Sequence, residues 1–99
     1  KMCYAPMFKS VTAIGIQAYA AAHRFGLEDL FLDELRDNLP DVYNMLQVLA
    51  PSIASRASRW IGEMDQIKAT YASLNLSTSM LDGTVDVYRS IVDNIRPNK

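Results

Sequence analysis

Arg59 and Glu63 stand four residues apart, a spacing that puts both on one face of a helix. They form either a plain surface ion pair, worth about 0.3–0.5 kcal/mol, or part of the lining of a cleft. Cys3 and His23 are the only thiol and the only imidazole. Placed on one long helix they would be about 30 Å apart, at 1.5 Å per residue, so they do not make a nucleophile and base. Nor do they supply a zinc site of usual spacing. His23 reads as a surface residue or a partner of the helix dipole, and Cys3 as a small buried hydrophobe. The four glycines, Gly15, Gly26, Gly62 and Gly83, are isolated. A dinucleotide fingerprint needs them clustered after a strand. Lys1, from composition alone, is an exposed lysine at a terminus.

These side chains would be carried by helices. No run alternates apolar and polar residues between Gly or Pro breaks, and no Asn-Gly or Asp-Gly hairpin turn occurs. The expected architecture is all-α, about five helices with a long first one. Lys1 to Phe25 repeats apolar residues at steps of three and four. Met7, Ile14, Ile16 and Tyr19 widen that surface until the helix is apolar nearly all round, which predicts burial on most sides. Gly15 and the neighbouring alanines leave room for a close neighbour. Pro6 is awkward there, because it lacks a backbone donor. Gly26 suits a left-handed cap.

A second helix is expected over Leu27 to Asn38, with Leu30, Phe31, Leu35 and Leu39 inward and Pro40 as its stop. A third spans Asp41 to Ala50, with Val42, Met45, Leu46 and Leu49 facing in. Pro51 restarts the chain. The fourth, Ser52 to Leu74, has an inner stripe of Ala57, Trp60, Met64, Ile67, Tyr71 and Leu74, and Asn75 as its cap. The fifth begins near Ser77 or Ser79. Ser79 and Asp82 have the spacing of a capping box. Leu81, Val85, Tyr88, Val92 and Ile95 make its stripe, and Pro97 ends it.

Length and composition bound the rest. The chain has 99 residues, 49% of them hydrophobic, and a net charge of −1. That is one domain with one core. It offers no basic face to nucleic acid and no stretch of roughly 20 apolar residues to span a bilayer. A single cysteine fits a reducing, cytoplasmic setting. The chain opens on Lys1 within what reads as helix, so we expect it to derive from a longer parent.

The opening Lys1-Met2-Cys3-Tyr4-Ala5, then Thr12-Ala13, Arg59-Trp60-Ile61-Gly62-Glu63-Met64 and Asp86-Val87-Tyr88-Arg89 occur in that order. As a set they resemble the C-terminal helical domain of a branch of the β-hydroxyacid dehydrogenase and 6-phosphogluconate dehydrogenase superfamily. That domain long carried only an unknown-function label. The resemblance covers nearly the whole chain, and Arg59-Trp60 followed by Glu63-Met64 is its most distinctive part.

It implies an N-terminal Rossmann domain, absent from this chain, that binds NAD or NADP. Residues 1–99 would then be the C-terminal substrate and dimerisation domain of an oxidoreductase acting on a hydroxy acid or related small substrate. Lys1 matches the family's catalytic lysine, the general acid/base at the substrate hydroxyl or carbonyl while hydride passes to or from the nicotinamide. Lysine suits this work, because removal from water favours the neutral amine and brings proton exchange into the working pH range.

The family's better-known members place asparagine, or histidine and asparagine, three and four residues after that lysine. Here Tyr4 and Ala5 occupy those places. Tyr4 either offers its hydroxyl to substrate from the face of Lys1 or packs in the core. Where relatives carry a Lys-Asp pair near the fourth helix, this chain has Asp65 and Gln66, so substrate identity does not carry over. Tyr4, Arg59 and Glu63 are the expected substrate contacts, and a homodimer is the expected assembly. The competing expectation is a stand-alone helical module that dimerises through its apolar first helix without catalysis. A ligand-binding bundle rests only on Met and aromatic stripes, which are more often core.

Overall fold

The computed structural model describes residues 1–95, and they contain helices and no strand. Five helices run α1 (Tyr4–Arg24), α2 (Glu28–Asn38), α3 (Pro40–Leu49), α4 (Ile53–Ser73) and α5 (Ser79–Ile95), with one 3₁₀ turn at Ala50–Ser52. α1, α4 and α5 pack together as a three-helix core, and the α2–α3 hairpin lies against α1. The expected all-α architecture with a long first helix is what the chain adopts. The roles expected for the Ile95 side chain and for Pro97 lie outside the described residues.

The helix ends follow from local chemistry. At the end of α1, Gly26 takes φ 73°, its N–H donates to the His23 carbonyl at 3.0 Å, and the Leu27 N–H reaches Ala22 at 2.8 Å. α4 closes in the same way. Asn75 takes φ 62°, and bonds run from Asn75 to Ala72 and from Leu76 to Tyr71. Both are Schellman ends, which satisfy carbonyls the helix leaves open. Pro40 is the first residue of α3 as well as the barrier that stops α2. The capping box expected at Ser79 is absent. Ser79 is already helical, and the Asp82 carboxylate instead lies 3.5 Å from the Thr78 hydroxyl and 3.1 Å from Lys68 Nζ.

The core holds Ala13, Leu49, Ala57, Trp60 and Tyr88 in one cluster and Met64, Ile67, Leu81 and Val85 in a second. The stripes read from spacing on α4 and α5 are therefore the faces turned to the core, with one exception on α4 and two on α2. Leu74 caps α4 and is exposed, as are Leu30 and Leu39. α2 has no buried residue at all, because the hairpin rests on α1 by one side only.

α1 departs furthest from expectation. Its buried residues are Pro6, Lys9, Thr12, Ala13 and Ala22, while Tyr4, Met7, Ile14 and Tyr19 are exposed. Neighbours cover one side of the helix, which turns Pro6, Lys9, Thr12, Ala13 and Ala22 to them, with Phe8 and Ile16 partly buried against the core. The room expected at Gly15 is used: a Cβ there would come within 2.7 Å of Leu46 Cδ1, so α3 approaches α1 closely at that point. Cys3 is exposed rather than buried, since it lies ahead of the stretch of α1 that packs into the core.

Candidate functional site

Two regions could host a ligand. A hollow of about 440 Å³ lies between α1 and the α2–α3 hairpin, walled by Gly15, Tyr19, Phe31, Leu35, Tyr43 and Leu46 among others. Its volume suits a small molecule. No charged side chain lines it, and the Thr12 hydroxyl at its base already donates to the Phe8 carbonyl at 2.9 Å. Its polar lining is confined to the uncharged side chains of Thr12, Tyr19, Tyr43 and Gln47.

The charged chemistry sits on α1 and α4. Lys9 is buried, at 7% exposure. Its Nζ lies 3.2 Å from Glu63 Oε1 and 5.3 Å from the centroid of the Trp60 ring. Glu63 Oε2 in turn lies 3.5 Å from Arg59 Nε. One carboxylate thus bridges a buried ammonium and an exposed guanidinium. The ring of Trp60 offers its face to the ammonium, an attraction that strengthens where water is excluded. From below, the Tyr88 hydroxyl donates to the Lys9 backbone carbonyl, and burial pushes that phenol well above its ordinary pKa. Tyr88 therefore stays a neutral donor.

An aromatic run leads from this cluster toward the start of α1. Trp60 meets Tyr88 edge-on at 5.4 Å and Phe8 edge-on at 5.8 Å. Phe8 stacks on Tyr4 at 6.0 Å. Of the residues singled out in the sequence, Arg59 and Glu63 are a direct pair, and Tyr4 is joined to them through Phe8, Trp60 and Lys9. Tyr4 is 71% exposed, so it belongs to the surface and not to the core. Lys1 is exposed one turn ahead of it, and the Lys1 carbonyl accepts the Ala5 N–H at 3.0 Å. Asp65 and Gln66 are also exposed, with Asp65 beside Lys68 at 3.7 Å.

Lys9 is the residue that sequence reasoning missed. The signal was its register: Pro6, Lys9 and Ala13 follow one another at steps of three and four and are all buried, so a charge stands on the packed face of α1. Because a well-packed apolar side chain often replaces a buried ion at little cost, Lys9→Met should change stability by less than about 1 kcal/mol. Glu63→Gln leaves the ammonium buried without its counter-charge and should cost about 1–2 kcal/mol, a value discounted for the solvent exposure of Glu63. Denaturant midpoints measure both. The reverse order would show that Glu63 is not what compensates Lys9.

His23 is exposed, and its Nδ1 lies 2.9 Å from Glu28 Oε2 across the α1–α2 turn. The Glu28 carboxyl is held below its ordinary pKa, first by its hydrogen bond to backbone at the start of α2 and then by His23. This contact ties the hairpin to α1 and lies apart from the charged cluster. Among the described residues no group of His, Cys, Asp and Glu side chains could hold a metal ion, and no helix is long and apolar enough to cross a membrane.

Fold and site together define an all-helical domain whose polar centre is a bridged ion pair beside an aromatic run, with no phosphate-cradling loop among its described residues. The chain belongs to the family described as Domain of unknown function (DUF1932), which matches residues 22–91. Arg59, Trp60, Glu63 and Tyr88 fall within the matched stretch, while Lys1, Tyr4 and Lys9 precede it. Comparison with curated proteins and with solved structures returns no match.

Proposed function

We propose that this chain is the C-terminal helical domain of an NAD(P)-dependent oxidoreductase acting on a hydroxy acid or a related small substrate. The observation that carries the reading is membership of a family whose domain follows NAD(P)-binding dehydrogenase domains. In this reading a Rossmann domain ahead of Lys1 binds NAD or NADP and supplies the hydride chemistry. Lys1 exchanges the proton at the substrate hydroxyl or carbonyl. Tyr4 presents its hydroxyl on the same stretch of helix, and the Arg59–Glu63 pair borders the substrate. The exposed side of α1, with Met7 and Ile14, and the exposed Met80 on α5 flank one groove. They supply the apolar surface that a homodimer would cover.

The same surface favours a second reading, a helical dimerisation module without catalysis. One set of measurements separates the two. The intact protein that carries this chain should bind NAD⁺ or NADP⁺, reduce it in the presence of hydroxy acids, and sediment as a dimer. A dimer that binds neither cofactor, with no Gly-rich βαβ unit encoded ahead of Lys1, establishes the module instead. A strict monomer at high concentration removes the dimer from both.

A further inference from the structure

The first turn of α1 contains a gap in its hydrogen-bond ladder. The Ala5 N–H donates to the Lys1 carbonyl at 3.0 Å, an i→i−4 bond. Cys3 has right-handed helical backbone angles, φ −100° and ψ −45°. The helical path therefore runs back as far as Lys1. The next donor in the ladder would be the N–H of residue 6, and that residue is Pro6, which has none. The carbonyl of Met2 is the acceptor that α1 cannot serve.

Tyr71 serves it. Its phenol hydroxyl, on α4, donates to the Met2 carbonyl at 3.0 Å across 69 positions of sequence. The Tyr71 ring packs against the cluster of Met64, Ile67, Leu81 and Val85, so the hydroxyl projects from a ring that the core holds in place. Pro6 is itself buried. A proline that opens the ladder and a tyrosine from another helix that closes it meet at one atom, one residue from Lys1. Unserved proline gaps are where helices kink.

We propose that Tyr71 is a positioning residue for Lys1: by holding the Met2 carbonyl against α4, it fixes the turn that carries the lysine where Pro6 has broken the helix's own bonding. The proposal rests on the reading of Lys1 as the proton-exchanging residue. Tyr71 touches neither substrate nor cofactor in this scheme and acts through the backbone alone.

The test is a double-substitution cycle in the intact protein. Tyr71→Phe keeps the ring, and so the packing, and deletes the hydroxyl. It should lower kcat roughly ten- to a hundredfold, the scale of a misplacement near 1 Å, with KM for the nicotinamide cofactor unchanged. Pro6→Ala restores an N–H that can donate to Met2. In that background Tyr71→Phe should cost less than about threefold, because the helix now serves its own carbonyl. An equal loss in both backgrounds would mean a merely structural role and overturns the proposal. Wild-type kcat in Tyr71→Phe, beside an inactive Lys1→Ala, overturns it as well while leaving the role of Lys1 standing. Full activity of Lys1→Ala removes the reading beneath it.

Discussion

If the chain works as proposed, replacing Lys1 with alanine in the intact protein is expected to lower turnover by roughly 10²–10⁴-fold or more, while leaving cofactor affinity nearly unchanged. That range is what loss of a positioned acid or base ordinarily costs. On the proposed reading cofactor affinity is spared, because a Rossmann unit would hold the phosphates and ribose of the dinucleotide. Steady-state kinetics with a separate cofactor titration measure the two effects. An equal fall in kcat and kcat/KM marks an interaction made in the transition state. Full activity would withdraw Lys1 from the mechanism, and the Arg59–Glu63 pair would then be the remaining polar group of the site.

Trp60→Ala should be the most destabilising single change in the domain, at about 3–5 kcal/mol. The side chain is 4% exposed and meets Phe8, Tyr88 and the Lys9 ammonium together. Its removal opens a cavity at the centre of the α1–α4–α5 packing. Domains of this size have a total stability of about 5–15 kcal/mol. Each 1 kcal/mol lowers the melting temperature by about 4–8 °C, so the helical domain should melt more than about 10 °C early. A melt indistinguishable from wild type would place Trp60 in the wall of the cleft instead of the core.

Each motif after the opening one contributes a residue that packs, although Lys1, Met2, Cys3, Tyr4, Arg59, Glu63, Asp86 and Arg89 are exposed. Thr12, Ala13, Trp60, Met64 and Tyr88 are all buried. A residue that must fit between helices shows itself by type and by period. The capping residues Gly26 and Asn75 were legible for a similar reason, since few residues tolerate a positive φ. The exposure of α1 was not legible, because apolar periodicity shows which sides could be buried and not which sides neighbours reach. The capping box failed on a two-residue pattern that Asp82 spends on Thr78 and Lys68.

The candidate site was legible in part. The spacing of Arg59 and Glu63 led to their pairing. Lys9 was hidden because charged residues in an amphipathic helix are ordinarily counted to the solvent side, and only its register with Pro6 and Ala13 betrays it. The Tyr71–Met2 contact joins residues 69 positions apart, and no local pattern encodes such a pairing. Pro6 announced an unserved carbonyl without naming its donor.

The uneven burial of the helices has a consequence for how the domain opens. α2 contributes no buried residue, and the hairpin it forms with α3 leans on α1 over a hollow. α4 and α5, by contrast, enclose the two apolar clusters. Resistance to local unfolding scales with such enclosure. α2 is thus the segment best able to open locally, whereas Leu49 of α3 is anchored in the core cluster with Ala57, Trp60 and Tyr88. Tolerance for sequence change should therefore be greatest along α2, between Leu27 and Leu39, where no residue is buried.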